Sequence, residues 1–535
     1  MYISFIYTMG SNPILFYIFF MVLDYNNFLI NTELMTLNEV INIFGELFFG
    51  LAILFLILHS ILLASNKKKN YPLIQKSIIK LSIFILFLTF CIFYNTELIY
   101  NCSFFDNTLI IDNLSIIAKL TITLFSILCF FIIEDYLDLQ KINSFEYIIL
   151  ILFSILGIFL ICSSNNLITI YLAIEIQSLS FYLLAAYKRT SIFSTEAGLK
   201  YFILGSFSSS FFLFGSSLIY GATGTTNFED FKDLYFLVQS KINQENYLNI
   251  FSEIHLLELG LMFLVISLFF KLALAPFHVW APDIYEGSLT SSTVFFAIIP
   301  KLGIFILLIR FFYYSFYGFL YDWRQLFMYI ALFSVLVGSF AGLEQKKVKS
   351  LLAYSSIGHM GYSLISFSSG TFEGLQSLLC YLFIYMLASL SIWTIFLSIQ
   401  LKKQYLNKTN KDLADFVLLV KSNNCLAISF TIALLTLAGF PPFIGFFAKF
   451  NVFFAAIESS MFFAAIIAIF CSVISTFYYV RIIKIIYFEN GTSGKLYKPI
   501  NYINSLIISI CSFLFIYLFI NPNLFYFFYY QASFL

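Results

Sequence analysis

Charge is what this chain has least of. Only 11% of its 535 residues are Asp, Glu, Lys or Arg, against 61% hydrophobic, and the mean hydropathy is +0.92. That balance excludes a soluble domain. A net charge of +1 argues neither for nor against nucleic acid, but with no soluble segment no nucleic-acid partner is expected. The eight cysteines lie singly, without a CxxC pair, and Cys129, Cys162, Cys380, Cys471 and Cys511 fall inside apolar runs. Their spacing excludes an iron–sulfur or zinc framework, and they read as small buried apolar side chains. GxGxxG and P-loop patterns are missing, which excludes the common nucleotide folds. The N-terminus lacks a basic n-region and a small-residue cleavage pattern, so no cleavable signal or transit peptide is expected.

Apolar runs of about 20 residues recur from end to end instead, the signature of an all-α polytopic membrane protein. Fourteen core spans begin near residues 41, 73, 109, 145, 166, 197, 257, 290, 325, 350, 374, 425, 460 and 502. Ahead of them Pro13 to Leu23 is apolar but short: an extra span, a re-entrant piece or an interfacial segment. Phe (71) and Tyr (36) abound with Ile, Asn and Lys, residues with AT-rich codons, which suggests an organelle genome.

Charge placement supports this count. Loops after odd-numbered spans hold 19 basic residues, among them Lys67, Lys68, Lys69, Lys188, Arg189, Lys346, Lys347, Lys402 and Lys403. The opposite loops hold four, Lys232, Lys241, Arg310 and Arg324. So uneven a split sets the odd exits on the cytoplasmic or matrix side.

Six lysines remain at membrane depth: Lys80, Lys119, Lys200, Lys271, Lys301 and Lys449. Each costs at least about 2.5–3.5 kcal/mol on insertion scales unless it is paired or faces a wet cavity. Lys80 and Lys200 lie near helix ends, where snorkelling suffices. Lys119 has Asp112 two turns before it for local pairing. Lys271, Lys301 and Lys449 have no such account.

The stretch Leu261 to Gly303 organises the rest. Lys271 precedes Pro276 and the polar cluster FHVWAPDIYEG, and Lys301 follows Pro300. Proline should break the helix beside Lys271, and freed backbone survives at that depth only against protein or a wet cavity. In span 12, Pro441 and Pro442 break the helix and Lys449 comes after, reversing the order. Two proline-broken helices five spans apart, in reversed order, point to inverted five-helix repeats around a transport site. The division expected is an N-terminal extension over 1–36, helices 1–3 over 37–144, repeats over 145–312 and 313–488, and a last helix in 489–535.

Span 5 carries a lone acid, Glu175. Burial disfavours the charged form of both an acid and an amine, so a Glu175–Lys271 pair would offset both costs and make a switch. His359 lies between glycines in span 10, either a relay or a satisfied core histidine. His278 in the break either caps the helix or accepts protons; His59 and His255 read as helix-end residues. Glu46, Glu134 and Asp135 are expected at interfaces or against neighbouring subunits.

The stretches NLITIYLAIEIQSLSFYLLAAYKR, STEAGLKYFILGSFSSSFFLFGSSLIYGATGTT, FKLALAPFHVWAPDIYEG, QKKVKSLLAYSSIGHMGYSLI and LAGFPPFIGFFAKF resemble the antiporter-like membrane subunits of mitochondrial NADH:ubiquinone oxidoreductase, respiratory complex I. The resemblance covers roughly 40 to 530 and is densest from 145 to 450. It implies 14 helices, inverted repeats and discontinuous helices 7 and 12. It also implies a proton relay of Glu175, Lys271, Lys301 and Lys449, with His359 on the same axis. Quinone reduction elsewhere would drive it, with flavin, iron–sulfur clusters and ubiquinone in other subunits and no cofactor here. Partners would be other membrane-arm subunits, including neighbouring antiporter-like chains, and phospholipids such as cardiolipin. The place would be the mitochondrial inner membrane, with odd exits to the matrix. Rival readings are a cation/proton antiporter subunit, a non-translocating scaffold and a redox subunit.

Overall fold

With no water in a bilayer core to serve backbone amides, a long apolar run closes its hydrogen bonds as a helix. The computed structural model describes residues 43–64, 74–96, 102–140, 142, 144–232, 247–399, 412–417, 419–489, 499–523, 526 and 529–531. The chain divides into Met1–Phe44 and Gly45–Leu535. The segment Pro13 to Leu23 lies outside the described residues.

The second unit opens with α1 (Phe44–Ala64) and α2 (Ile74–Asn95), then a small antiparallel hairpin of β1 (Cys102–Phe104) and β2 (Leu109–Ile111). There follow α3 (Asn113–Gln140), α4 (Glu146–Ser163), α5 (Leu167–Ala185), α6 (Ile192–Thr223) and α7 (Tyr247–Leu272). Next come α8 (Trp280–Gly287), α9 (Thr290–Ile309), α10 (Leu320–Glu344), α11 (Val348–Ser368) and α12 (Phe372–Ser398). The last are α13 (Asn424–Ala438), α14 (Ile444–Glu458), α15 (Phe462–Tyr487) and α16 (Tyr502–Ile520).

Among the described residues, twelve helices are long and apolar enough to cross a membrane. A further span is α11, 21 residues long but diluted by six serines and His359. The last is α13 and α14 end to end, 15 residues each. The fourteen expected core spans are therefore present, and spans 7 and 12 are the interrupted ones.

Helix position follows which side chains must avoid lipid. Every residue of α9 from Ser291 to Ile309 is buried, and the apolar window of α12 is 94% buried. These two helices pack on each other, on α3 and on the serine-rich α11 or α14. Serines here satisfy themselves: Ser355, Ser356, Ser363 and Ser366 each donate to the carbonyl three residues back, at 2.7–2.8 Å. The α10–α11 pair packs backbone to backbone. A Cβ on Gly338 would stand 2.5 Å from Gly358 N, so only glycine allows that approach.

Side-chain contacts stitch helix ends into two faces. On one, Lys76 pairs with Asp138 (2.6 Å), Lys347 with Glu286, Lys200 with Asp283 (2.9 Å), and Lys349 donates to Ser288 O (2.8 Å). These are the ends that carry the basic loops. On the other, Asn166 bonds Asn227 (2.8 Å), Arg324 reaches Ser459 O, and Tyr313 donates to Phe367 O (2.7 Å). The hairpin lies on this second face, where Leu109 bridges Ser164.

Four buried charges pair otherwise than the sequence suggests. Lys119 meets Glu46, 73 residues away, rather than Asp112. Glu46 therefore sits inside the bundle, 6% exposed, and not at an interface. Asp112 is held instead by Arg310 Nη2 at 2.8 Å to both carboxylate oxygens, so Arg310 is buried and not a loop residue. Sequence neighbours lie on one helix, whereas α3 faces both α1-side and α9-side charges. Asp135 is embraced by Asn501 and Asn504 (2.8–2.9 Å), which join α3 to the start of α16.

Breaking a buried pair strands one charge and costs about 3–5 kcal/mol, whereas replacing both partners is close to neutral. Lys119→Met should therefore lower the thermal-denaturation midpoint of the protein, and adding Glu46→Met should restore most of the loss.

Candidate functional site

Both interrupted helices end beside a lysine. Helix α7 stops at Leu272 because Ala273 turns to φ 59°, and Pro276 follows within the loop to α8. Its last carbonyls have no intrahelical partners. One, Phe270 O, accepts both from Ala273 N at 3.0 Å and from the Trp280 indole at 2.9 Å, and that ring stacks on Tyr201 with centroids 4.9 Å apart. Trp280 thus caps the helix end, one of the two tasks open to His278. The His278 Nδ1 atom has no hydrogen-bond partner among the described residues.

Helix α13 stops at Gly439, φ 83°, whose N–H closes on Leu435 O at 2.9 Å. Lys449, one turn into α14, donates to Ala438 O at 2.8 Å. Glycine is required at 439 twice over. Its φ is left-handed, and a Cβ there would stand 2.8 Å from Lys449 Cδ. Lys271 sits in the last turn of α7 and Lys449 against the last carbonyls of α13. Each cation therefore lies at the negative end of a helix dipole.

The structure places the predicted residues as follows. Lys301 is buried in α9 and donates to Tyr385 Oη at 3.1 Å, with its amine 5.0 Å from that ring's centroid. Lys271 reaches Tyr182 Oη at 3.3 Å. Lys449 lies 5.4 Å from the centroid of Tyr362. His359, 4% exposed, is held by two tyrosines, Nδ1 to Tyr381 Oη at 2.7 Å and Nε2 to Tyr479 Oη at 2.9 Å. Its ring is 5.3 Å from that of Tyr385, the partner of Lys301. Tyr362 in turn lies 6.3 Å from Tyr381. Lys301, His359 and Lys449 are thus joined through tyrosines.

The expected direct pair of Glu175 and Lys271 does not form. No carboxylate stands within 4 Å of Lys271, Lys301 or Lys449 among the described residues. Glu175 Oε1 is buried without a hydrogen-bond partner, and its charge acts on Lys271 from beyond contact. Tyr182, two turns along α5 from Glu175, occupies the near position instead. Between Lys271 and Lys301 lies a cavity of about 20 Å³, lined by both lysines, Gln177, Ser178 and Tyr285. A water needs about 10–15 Å³ and two to four polar partners, so one fits there. Ser356, whose hydroxyl donates to Ala353 O at 2.7 Å, stands beside the hydroxyls of Tyr285 and Tyr385.

These contacts have one chemical consequence. A lysine clamped by a carboxylate keeps its proton; one held by a phenol or a carbonyl is free to change state. His359 is satisfied in either tautomer, because one ring nitrogen donates, the other accepts, and both tyrosine hydroxyls can do the converse. Sequence reasoning missed Tyr182, Tyr362, Tyr381, Tyr385 and Tyr479. With 36 tyrosines in the chain, the one available signal was the i, i+4 spacing of Tyr381 and Tyr385 on one buried helix face.

The family described as NADH:quinone oxidoreductase/Mrp antiporter, TM, matches residues 164–475. The chain is 39% identical to NADH-ubiquinone oxidoreductase chain 2 of Marchantia polymorpha over 486 residues, 91% of this chain and 96% of that one. It is 42% identical to NADH-quinone oxidoreductase subunit N of Pelagibacter ubique, over 66% of this chain and 71% of that one. Its fold is that of a chain in respiratory complex I from Thermus thermophilus, with a TM-score of 0.72 at 26% identity, covering 90% of this chain and 98% of the other. It is also that of a chain in the Mrp complex from a Dietzia species, with a TM-score of 0.74 at 16% identity, covering 93% and 97%. The last likeness concerns fold alone.

Tyr385→Phe removes the hydroxyl that holds Lys301, a charged hydrogen bond worth about 1.5–3 kcal/mol. Proton transfer along the row should slow by about tenfold or more, each 1.36 kcal/mol being a factor of ten. Proton uptake by vesicles carrying the assembled protein checks this.

Proposed function

The chain belongs to the NADH:quinone oxidoreductase/Mrp antiporter family, and from that premise we propose that it is a proton-translocating subunit in the membrane arm of NADH:ubiquinone oxidoreductase. The observation that carries the proposal is the row of buried amines, Lys271, Lys301 and Lys449, that no carboxylate fixes. Quinone reduction elsewhere in the complex supplies the drive. A charge crossing the membrane changes energy by about 2.3 kcal/mol per 100 mV, so some drive is required. Flavin, iron–sulfur clusters and ubiquinone reside in other subunits, and this chain contributes no redox centre.

The residues act in sequence. Glu175 is the group whose charge is altered from the neighbouring subunit's side. When its charge weakens, Lys271 holds its proton less firmly and passes it through the cavity water toward Lys301. Lys301 hands it by way of Tyr385 to His359, and a tautomer exchange between Tyr381 and Tyr479 delivers it toward Lys449. These groups titrate as a set, so no proton affinity belongs to one of them alone. The repeats run over 145–312 and 313–488, and the row crosses from one to the other between Lys301 and Tyr385. The lysine-rich face looks into the mitochondrial matrix, as the positive-inside rule directs. Other membrane-arm subunits, neighbouring antiporter-like chains and phospholipids such as cardiolipin cover the outer helices, where Leu, Ile and Phe are exposed.

Lys301→Ala and Glu175→Gln in the assembled complex should each slow proton transfer through this chain by at least about tenfold, in the range of a lost proton-transfer group, and so lower the protons translocated per NADH oxidised. Undiminished pumping by Lys301→Ala would make the chain a scaffold. Sodium-dependent proton flux by the isolated chain in liposomes would make it a cation antiporter.

A further inference from the structure

The row accounts for the lysine-rich face and the middle of the molecule. It leaves unused a second group of buried charges under the hairpin face. There a cavity of about 170 Å³ has Asp112, Asn165 and Arg310 at its floor and Ser103 and Glu229 toward its mouth. The floor residues are 5%, 0% and 3% exposed, whereas Ser103 is exposed and Glu229 half-buried. At roughly 30 Å³ per water the space suits about five.

Two observations mark the cavity as built for water. The Asn165 backbone is satisfied, its N–H by Thr108 O at 2.9 Å and its carbonyl by Phe228 N at 3.1 Å. Its side-chain amide is fully buried, lines the cavity, and has no partner on either Oδ1 or Nδ2 among the described residues. A buried amide left so costs about 1–3 kcal/mol unless something polar meets it. Arg310 is the second. It gives two bonds to Asp112 and one, from Nη1, to Ser164 O at 3.1 Å. A guanidinium has five N–H donors, so capacity remains toward the cavity.

The position of this cavity is informative. Arg310 lies nine residues beyond Lys301 on the same helical run, about 13 Å at 1.5 Å per residue. Asp112 lies seven residues before Lys119, about 10 Å by the same rise. The Lys119–Glu46 pair therefore sits at nearly the depth of Lys301, with Asp112 and Arg310 between that depth and the hairpin face. Glu46 Oε2 has no partner among the described residues and so keeps acceptor capacity inside this cluster.

We propose that the Asp112–Asn165–Arg310 cavity is a water-filled vestibule, the port by which protons at the depth of Lys301 reach the hairpin face. The port rests on the pumping role assigned above; the vestibule does not. A proton leaving that depth makes an ammonium a neutral amine and adds one proton to the vestibule water. Glu46 Oε2 accepts a hydrogen bond from the water on the way while Lys119 keeps its charge, and Arg310 holds Asp112 aside from the traffic.

The test uses the assembled complex in sealed vesicles, with Cys102→Ser and Cys425→Ser removing reactive background. Asn165→Cys, Ile110→Cys (Ile110 is a buried residue of the cavity wall) and Ser103→Cys are exposed to a charged, membrane-impermeant methanethiosulfonate from one face or the other. All three should react at least about tenfold faster from the hairpin face than from the lysine-rich face, since thiol reactivity follows access. Ile110→Cys keeps the test alive if Asn165→Cys does not assemble. Modification at Asn165→Cys or Ile110→Cys should lower protons per NADH at least about twofold. If Ser103→Cys reacts and both deeper thiols stay inert, there is no vestibule. If they react and protons per NADH hold steady, the vestibule is not the port. If they react while Lys301→Ala pumps normally, the pumping role fails and the port with it.

Discussion

Three ammonium groups buried without a carboxylate in contact set the terms for this structure. Each costs at least about 2.5–3.5 kcal/mol at bilayer depth. The chain offsets that cost with weaker partners than it uses elsewhere. Lys301 has a phenol and a ring face, Lys449 a helix-end carbonyl and a ring face, Lys271 a phenol at the end of α7. The same protein clamps Arg310 to Asp112 and Lys119 to Glu46. It therefore holds two kinds of buried cation. Clamped ones keep their charge and fasten helices together. The others are stabilised just enough to be present and not enough to be fixed, which is what a proton carrier requires.

The broken helices follow from the same need. An unbroken helix has no free carbonyl in mid-membrane, so Lys449 would have nothing to donate to. Ending α13 at Gly439 opens Ala438 O at the required depth, and the Gly439 position leaves room for the lysine stem. In α7 the lysine belongs to the ending half itself, and Trp280 adds a second donor to a carbonyl of the last turn, Phe270 O. One device is used in two orders, with the lysine before the break in one span and after it in the other.

Much of this was legible beforehand because the rules involved are local. A run of about 20 apolar residues has few fates, proline cannot continue a helix, and a lysine in such a run demands a reason. What escaped was tertiary. Asp112 stands just ahead of the helix that carries Lys119, two turns away, yet their partners come from α1 and from the turn after α9, which no spacing encodes. Arg310 reads as a loop residue because α9 continues as a wider turn over Arg310–Ser315 that carries the side chain inward. Glu175 and Lys271 were expected to pair directly, but a phenol stands at Lys271 instead, and that phenol was hidden among many tyrosines. Aromatic residues are common on lipid-facing surfaces, so their number masks the few that matter.

The choice of histidine at the junction has its own logic. His359 sits between Lys301 and Lys449, and both lysine charges act on it. A third permanent cation there would repel both and would also need desolvating, so a lysine or arginine is the wrong residue. An acid would form an ion pair with one amine and lock it, as Glu46 locks Lys119. A neutral imidazole does neither at rest, and it is the side chain that accepts a proton at one nitrogen and releases another from the opposite one. Tyr381 and Tyr479 hold both nitrogens at 2.7–2.9 Å, so the exchange needs no movement of the ring beyond hydroxyl rotation. Position 359 is therefore decided by the two lysines flanking it, and the tyrosines are decided by the histidine.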